Sequence, residues 1–261
     1  MDLGLDGNTA LCTAASSGLG YASAEALAAE GANVAICGRT DDHIETAGER
    51  LRSTGNGDVL AVRADITDPH HVAAFVEQTV DRFGGVDHVV TSAGGPPSGP
   101  FVEMTDRDWY QAYDGLVMSA VWTLREAYPH LQESADGSVV AITSGTVREV
   151  TDGLVLSNAV RRTVVGLVKT LSREFAPEVR VNTVLPGPHE TSRMEALIEA
   201  AVDRGEFDDY EDGYEDWAND IPLDRIGDPR ELGDVVAFLS SERASYVNGA
   251  TLAIDGGSLR S

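Results

Sequence analysis

Lysine is almost missing from this chain: Lys169 is the only one among 19 Lys+Arg, set against 43 Asp+Glu, for a formal net charge of -24. Acid in such excess argues against nucleic acid and anionic membrane surfaces as partners, because both would be repelled. The carboxylates run through the whole chain rather than collecting in a tail. Such a surface suits concentrated salt, where screening relieves self-repulsion, so the sequence reads as that of a halophile. Cysteine is scarce as well. Cys12 and Cys37 both fall in apolar runs, where a free thiol behaves as a small buried hydrophobe, so no disulfide framework and no metal site is expected. There is no basic N-terminal patch leading into an apolar run, and no stretch of membrane-spanning length. The expectation is a cytoplasmic protein.

What the chain does have is regular alternation. Apolar β-prone runs at Thr9 to Cys12, Val34 to Cys37, Val59 to Arg63, Val86 to Thr91, Ser138 to Thr143, Arg180 to Val184 and Thr251 to Ile254 are separated by helical patterns. That spacing predicts a single α/β domain over residues 1–261, a doubly wound parallel sheet of about seven strands with ligands at the strands' carboxyl ends. The first strand feeds Thr13-Ala14-Ala15-Ser16-Ser17-Gly18-Leu19-Gly20, which opens a helix running to about Glu30. Small residues there let a ligand approach the main chain, and helix N–H groups face it, which suits a pyrophosphate. Gly18 and Gly20 can supply backbone angles closed to other residues.

The loop resembles the Thr-Gly-x-x-x-Gly-x-Gly pattern of the short-chain dehydrogenase/reductase family, with Ala14 in place of the first glycine, and the resemblance extends over nearly all 261 residues. It implies a Rossmann-type fold, a nicotinamide cofactor and a homotetramer or homodimer that acts on a small molecule. Arg39 follows Gly38 where NAD-preferring folds carry an acid, which favours NADP(H) over NAD(H). Asp65 and Ile66 match the pair that contacts adenine in the family, although Asp65 suits equally well the cap of a helix beginning near Pro69. Ala93 and Gly94 close a Thr-Ser-Ala-Gly variant of the family's Asn-Asn-Ala-Gly. Pro186 and Gly187 match its nicotinamide-side turn, and Thr191 falls where a threonine holds the carboxamide. Residues 191–226, very acidic and interleaved with Phe207, Tyr210, Tyr214 and Trp217, correspond to a helical substrate lid; the plainer reading is a charged surface segment whose aromatics pin it down.

The family's reaction centre uses serine, Tyr-x-x-x-Lys and often an asparagine. In the register set by the long helix ending near Pro177, Ser144 stands at the serine position, Ser157 replaces tyrosine, Arg161 replaces lysine and Leu116 replaces asparagine. Lys169 lies about 12 Å further along that helix and cannot stand in for Arg161. Ser144 and Arg161 can stabilise developing oxyanion charge, while Arg161, with a pKa above about 12, is no acid. The proton must come from water, from His189 or from a lid tyrosine, Tyr210 or Tyr214; the plainer reading of His189 is a solvated loop residue. Arg148, Arg161, Arg162 and Arg193 around a pocket would suit an anionic substrate of sugar-acid or keto-acid type; the plainer reading makes Arg148, Arg162 and Arg193 surface partners of carboxylates. Three functions remain: an NADP(H)-dependent carbonyl–alcohol oxidoreductase with a non-standard centre, a catalytically inactive dinucleotide-binding protein, or a nucleotide-free dehalogenase. The retained glycine loop and the missing tyrosine disfavour the last.

Overall fold

A computed structural model describes residues 2–260. Seven strands, β1 (Thr9–Cys12), β2 (Asn33–Gly38), β3 (Val59–Arg63), β4 (His88–Thr91), β5 (Ser138–Ile142), β6 (Arg180–Pro186) and β7 (Thr251–Ile254), form one sheet in the order β3-β2-β1-β4-β5-β6-β7. Every pairing is parallel. The strand order reverses between β1 and β4, and such a switch point opens a crevice at the carboxyl ends. Four strands differ from the sequence reading: β2 gains a residue at each end, β4 starts at His88 rather than Val86, β5 stops at Ile142 rather than Thr143, and β6 continues through Leu185 and Pro186. Pro186 lacks an N–H, so a strand's last residue is a tolerated place for it.

Helices cover both faces. The helices α1 (Gly18–Ala29), α2 (Asp41–Arg52) and α9 (Pro229–Ser240) pack one core layer, around Leu27, Ile36, Leu51, Val140 and Leu232. On the opposite face α3 (Pro69–Phe83), α4 (Asp106–Tyr113), α5 (Ser119–Glu133) and α6 (Val155–Glu174) bury Phe75, Leu131, Val139, Leu156 and Val168. Local chemistry sets their ends. Asp68 accepts from His70 N–H, Pro69 takes the first turn, and Gly84 closes α3 in the left-handed region at φ +90, a helix start and stop with a distinct physical cause at each end. Asp68, not Asp65, is therefore the cap. Between α4 and α5, residues Asp114–Met118 form a π-helical turn centred on Leu116. Turns of this kind are frequent beside functional sites.

Helices α7 (Ser192–Asp203) and α8 (Tyr210–Asn219) form a separate layer with its own small core, Met194, Ile198, Ile221 and Ile226, against which Tyr210, Tyr214 and Trp217 pack. The aromatics of this acidic segment thus do pin it down. Exposed ion pairs such as Arg82–Asp58 (2.8 Å) and Arg63–Asp41 (3.4 Å) contribute little individually.

His88 is fully buried in β4, with Nε2 3.0 Å from Asn8 Nδ2 and Nδ1 2.9 Å from Ser138 Oγ. Burial pushes its pKa down from 6.5 to about 4; the Asp87 carboxylate opposes the shift and the Arg180 guanidinium adds to it. As pH falls below 6.5 the unfolded chain binds a proton that the folded one refuses until about 4. Stability is therefore expected to drop across that window, by on the order of 3 kcal/mol. Denaturant melts of the native chain and His88→Gln as a function of pH check this; parallel profiles would remove His88 as the cause.

Candidate active site

The carboxyl ends of the central strands open on one cavity of about 600 Å³. Its floor on one side is the loop between β1 and α1. Gly18 sits at φ +58, a left-handed angle that favours glycine. Gly20 is needed for a different reason than its angle: a Cβ there would lie 2.8 Å from Ala14 O. Ala14 itself holds φ +47, a strained value for a residue with a side chain. The N-cap Ser17 makes no side-chain hydrogen bond and no acid stands in the first turn of α1. The N–H groups and the positive dipole end of α1 are left available to an anion, and Ser17, Gly18, Leu19 and Gly20 line the cavity beside Ala93, Gly94, Pro186, Gly187 and Thr191. A cradle too tight for a Cβ, ending on an uncapped helix, fits a dinucleotide pyrophosphate. Thr13 and Ser16 hold this cradle from behind rather than lining it: Thr13 Oγ1 donates to Ser92 O (2.8 Å) and accepts from Ser92 N (2.9 Å), and Ser16 packs on Gly38.

At the ends of β2 and β3 a side chain on residue 38 would meet the Ser16 side chain at 3.0 Å, so an acid there would require Ser16 to shift. Arg39 next to it is exposed. Arg63, the last residue of β3, which no motif marks, donates Nε–H to Arg39 O at 3.3 Å and adds a second cation. Burial works against the Asp65 charge, but the Thr67 N–H and hydroxyl, with Arg39, hold its pKa below the ordinary value. Ile66 is in the core. Arg39, Asp65 and Ile66 are outside the cavity lining.

The opposite side of the cavity carries hydroxyls and cations. Ser144, just past β5, accepts from Thr146 N–H at 3.2 Å. Thr146 Oγ1 lies 3.1 Å from Ser157 Oγ, so Ser144, Thr146 and Ser157 stand in one chain of polar groups. Arg161, one turn beyond Ser157 on α6, is buried; it donates from Nη1 to Thr143 O at 3.2 Å and its Nε has no partner. Burial and the nearby Arg193 guanidinium push its pKa down to about 10, below the range expected from sequence yet far enough above neutrality to keep the charge. Arg193 donates to Pro96 O at 2.9 Å. Among the described residues no carboxylate pairs with either arginine, and no tyrosine or lysine lines the cavity.

Residues 13–258 match the family model described as Enoyl-(Acyl carrier protein) reductase. The chain is also 34% identical over 257 residues to Oxidoreductase UcpA of Escherichia coli K12, covering 97% of this chain and 95% of that one. The chain belongs to the short-chain dehydrogenase/reductase family. Among solved members of that family, L-sorbose reductase from Gluconobacter frateurii, complexed with NADPH and L-sorbose, superposes with a TM-score of 0.94 at 31% identity over 100% of both chains. An NADPH-bound short-chain oxidoreductase from Pseudomonas aeruginosa, described as containing an atypical catalytic center, gives a TM-score of 0.88 at 30% identity over 97% of each.

Several side chains are elsewhere than the sequence suggested. Tyr210 and Tyr214 do not reach the cavity; Tyr214 donates to Glu190 Oε1 at 2.7 Å, which, with burial, pushes its pKa up to about 12. Of the segment's aromatics, Trp217 lines the cavity. His189 does line the cavity, as its place among the candidate proton donors requires, and is 4% exposed rather than a solvated loop residue; its ring faces Gly227 and its Nδ1 lies 3.0 Å from Gly187 O. Arg162 is exposed, and Arg148 donates to Thr251 O at 3.0 Å, so neither lines the cavity. Thr146, Leu197 and Leu259 line it without any motif having marked them.

Proposed function

We propose that this chain is an NADP(H)-dependent oxidoreductase interconverting a carbonyl and an alcohol, with Ser144, Ser157 and Arg161 in place of the family's usual serine, tyrosine and lysine. The observation that carries the reading is the buried, carboxylate-free guanidinium of Arg161 beside Ser144, across one cavity from an uncapped glycine-rich helix start. When bound, NADP(H) supplies or accepts the hydride.

Ser17 to Gly20, Ala93, Gly94, Pro186, Gly187 and Thr191 would hold the cofactor, with Arg39 beside its 2′-phosphate. In the reducing direction the substrate oxygen gains negative charge, and Ser144 is oriented to meet it. Its Oγ accepts from Thr146 N–H, so its own proton is free to donate. Arg161 adds a positive charge at low local dielectric, where such charge has most effect on a developing oxyanion. Neither a serine hydroxyl nor a guanidinium at pKa about 10 readily surrenders a proton at pH 7. Water entering the open cavity is the proton source in this reading, reaching the substrate oxygen directly, with the Ser157–Thr146 hydroxyl pair in the cavity wall able to hold it. Arg161 and Arg193 together favour an anionic substrate of sugar-acid or keto-acid type.

The cofactor preference has a direct test. Arg39→Asp is expected to weaken NADPH binding by about tenfold or more, since it replaces an attractive charge with a repulsive one, while NADH binding holds. Fluorescence titration reads both, and equal affinities of the native chain for the two cofactors would remove the preference. A catalytically inactive dinucleotide-binding protein is the second reading, favoured by the absence of tyrosine and lysine from the cavity lining; it predicts tight NADPH binding and no turnover of any carbonyl.

We also infer a cytoplasmic, salt-adapted homo-oligomer, a homotetramer or homodimer. No described helix is long and apolar enough to cross a membrane, and Phe238, Tyr246 and Leu252 on and beside α9 and β7 are exposed; sedimentation finding only monomer would remove the oligomer. Carboxylates such as Asp208, Asp209, Glu211 and Asp212 crowd one segment. Since the Debye length shrinks from about 10 Å at 0.1 M to about 3 Å at 1 M, Tm is expected to climb with potassium chloride. A flat or falling Tm contradicts the salt adaptation.

A further inference from the structure

Two carboxylates, Glu149 and Asp220, line the cavity as well as the guanidiniums of Arg161 and Arg193. Glu149 is fixed from both ends. Its N–H donates to Gly145 O at 3.2 Å, which ties it to the residue after Ser144, and its Oε1 accepts from Arg260 N–H at 2.6 Å. Arg260 is itself held in place, because Asp255 accepts from Gly257 N–H at 3.0 Å and from Leu259 N–H at 2.9 Å and so folds the chain end back. Among the described residues Glu149 Oε2 has no partner, and neither has the Asp220 carboxylate, which follows Trp217 by three positions and so shares its side of the α8 end. The hydroxyls of Thr151 and Ser258 also line the cavity without a bond to another described residue.

Fixed acceptors with nothing to accept from are matched by a ligand rich in donors. An alkyl chain against Glu149 would strip water from a carboxylate and return no bond. A hydroxyl donates a charge-assisted hydrogen bond in its place, while Trp217 and Leu259 cover the carbon faces of the same body. The arginines ask for the opposite charge: Arg161 is 9% exposed with Nε unpartnered, and both guanidiniums donate only to carbonyl oxygens. Resting on the oxidoreductase reading above, we propose that the substrate is a polyhydroxylated oxo acid, a sugar acid and not an alkyl keto acid. Its carboxylate goes to Arg161 and Arg193, the reacting oxygen to Ser144, and its hydroxyls to Glu149 and Asp220. Glu149, tied through Gly145 to the reaction centre, reads the hydroxyls nearest the reacting carbon. Asp220, which is exposed, reads one further out.

The test uses the full-length chain saturated with NADP+, which permits binding of an oxo acid without its reduction, and calorimetric titration of two matched pairs: 5-ketogluconate with 5-oxohexanoate, and 2-ketogluconate with 2-oxohexanoate. Within each pair the carboxylate, carbonyl and carbon skeleton are the same and only the hydroxyls are missing from the second member. We expect the hydroxylated member of at least one pair to bind at least about tenfold more tightly, since a site built to bond hydroxyls rejects analogues that lack them. Losing a like charge helps both members of a pair, so the ratio of their affinities is the quantity to follow. Glu149→Gln should lower that ratio by about tenfold, and Asp220→Ala, which breaks no bond within the fold, by about threefold. The proposal is overturned if the deoxy members bind as tightly as the hydroxylated ones, if no probe binds, or if either variant leaves the ratio unchanged. NADPH consumption measured with the same probes separates the two claims. Equal kcat/KM for a hydroxylated probe and its deoxy partner removes this assignment and leaves the oxidoreductase reading standing; the expected binding pattern without consumption supports this assignment and removes the oxidoreductase reading.

Discussion

Ser144→Ala is expected to lower kcat by about 10² to 10³, the usual loss for one preorganised donor at a developing oxyanion, while NADPH affinity stays unchanged. The separation follows from placement. Ser144 stands beyond β5, its lone pair engaged by Thr146 N–H at 3.2 Å, whereas the cradle proposed for the cofactor is built from the loop before α1 and from the β4 and β6 ends. Ser157→Ala should be milder, because Ser157 bonds the Thr146 hydroxyl while Ser144 takes the Thr146 N–H, so the two serines do not touch; a loss as large as that of Ser144→Ala would place Ser157 on the proton path. Steady-state kinetics with a reactive carbonyl and a parallel NADPH titration read both numbers. Full turnover in Ser144→Ala would end the catalytic assignment.

Arg161→Met is expected to do two opposite things. Activity should fall by about 10² or more with loss of the charge facing the substrate oxygen, and stability should rise by about 1 to 3 kcal/mol, as when other buried charges give way to apolar groups of similar volume. The folded chain carries this guanidinium at a disadvantage: it is buried, has an orphaned Nε and no carboxylate, and feels the charge of Arg193. For a domain of this size that corresponds to a Tm increase of several degrees. A residue that destabilises the fold at a reaction centre is retained for function, in keeping with the usual trade between stability and activity. If Arg161→Met lowered Tm, the guanidinium would be a structural brace, and the reading of Arg161 as a functional charge would lose its energetic support.

The sheet was legible because each strand is a short apolar run between amphipathic helices, and three of its seven boundaries, those of β1, β3 and β7, agree to the residue. The loop at Gly18 and Gly20 was legible for the same reason, although Gly20 turns out to avoid a steric clash rather than to adopt a special angle. What escaped depends on distant parts of the chain meeting. Leu259 lies over Gly145, more than a hundred positions away, and no local pattern marks a leucine near a chain end. His189 read as a loop residue because Gly227, whose missing side chain admits its ring, is remote in sequence. The lid tyrosines looked available because nothing local showed that Tyr214 would be tied to Glu190. Asp65 and Asp68 compete for one cap, and only the three-dimensional path of the turn chooses between them.

The claim at the centre of this account is that the cavity beside Ser144 and Arg161 transfers hydride between NADP(H) and a carbonyl. The most direct measurement supplies the chain with NADPH deuterated at its transferable position together with a panel of 2-oxo acids, ketones and keto sugars, and examines the alcohols by mass spectrometry. The account predicts deuterium on the carbinol carbon of at least one product, with label lost from the same alcohol when Ser144→Ala is used. Saturating NADPH binding with no deuterated alcohol from any carbonyl would contradict it.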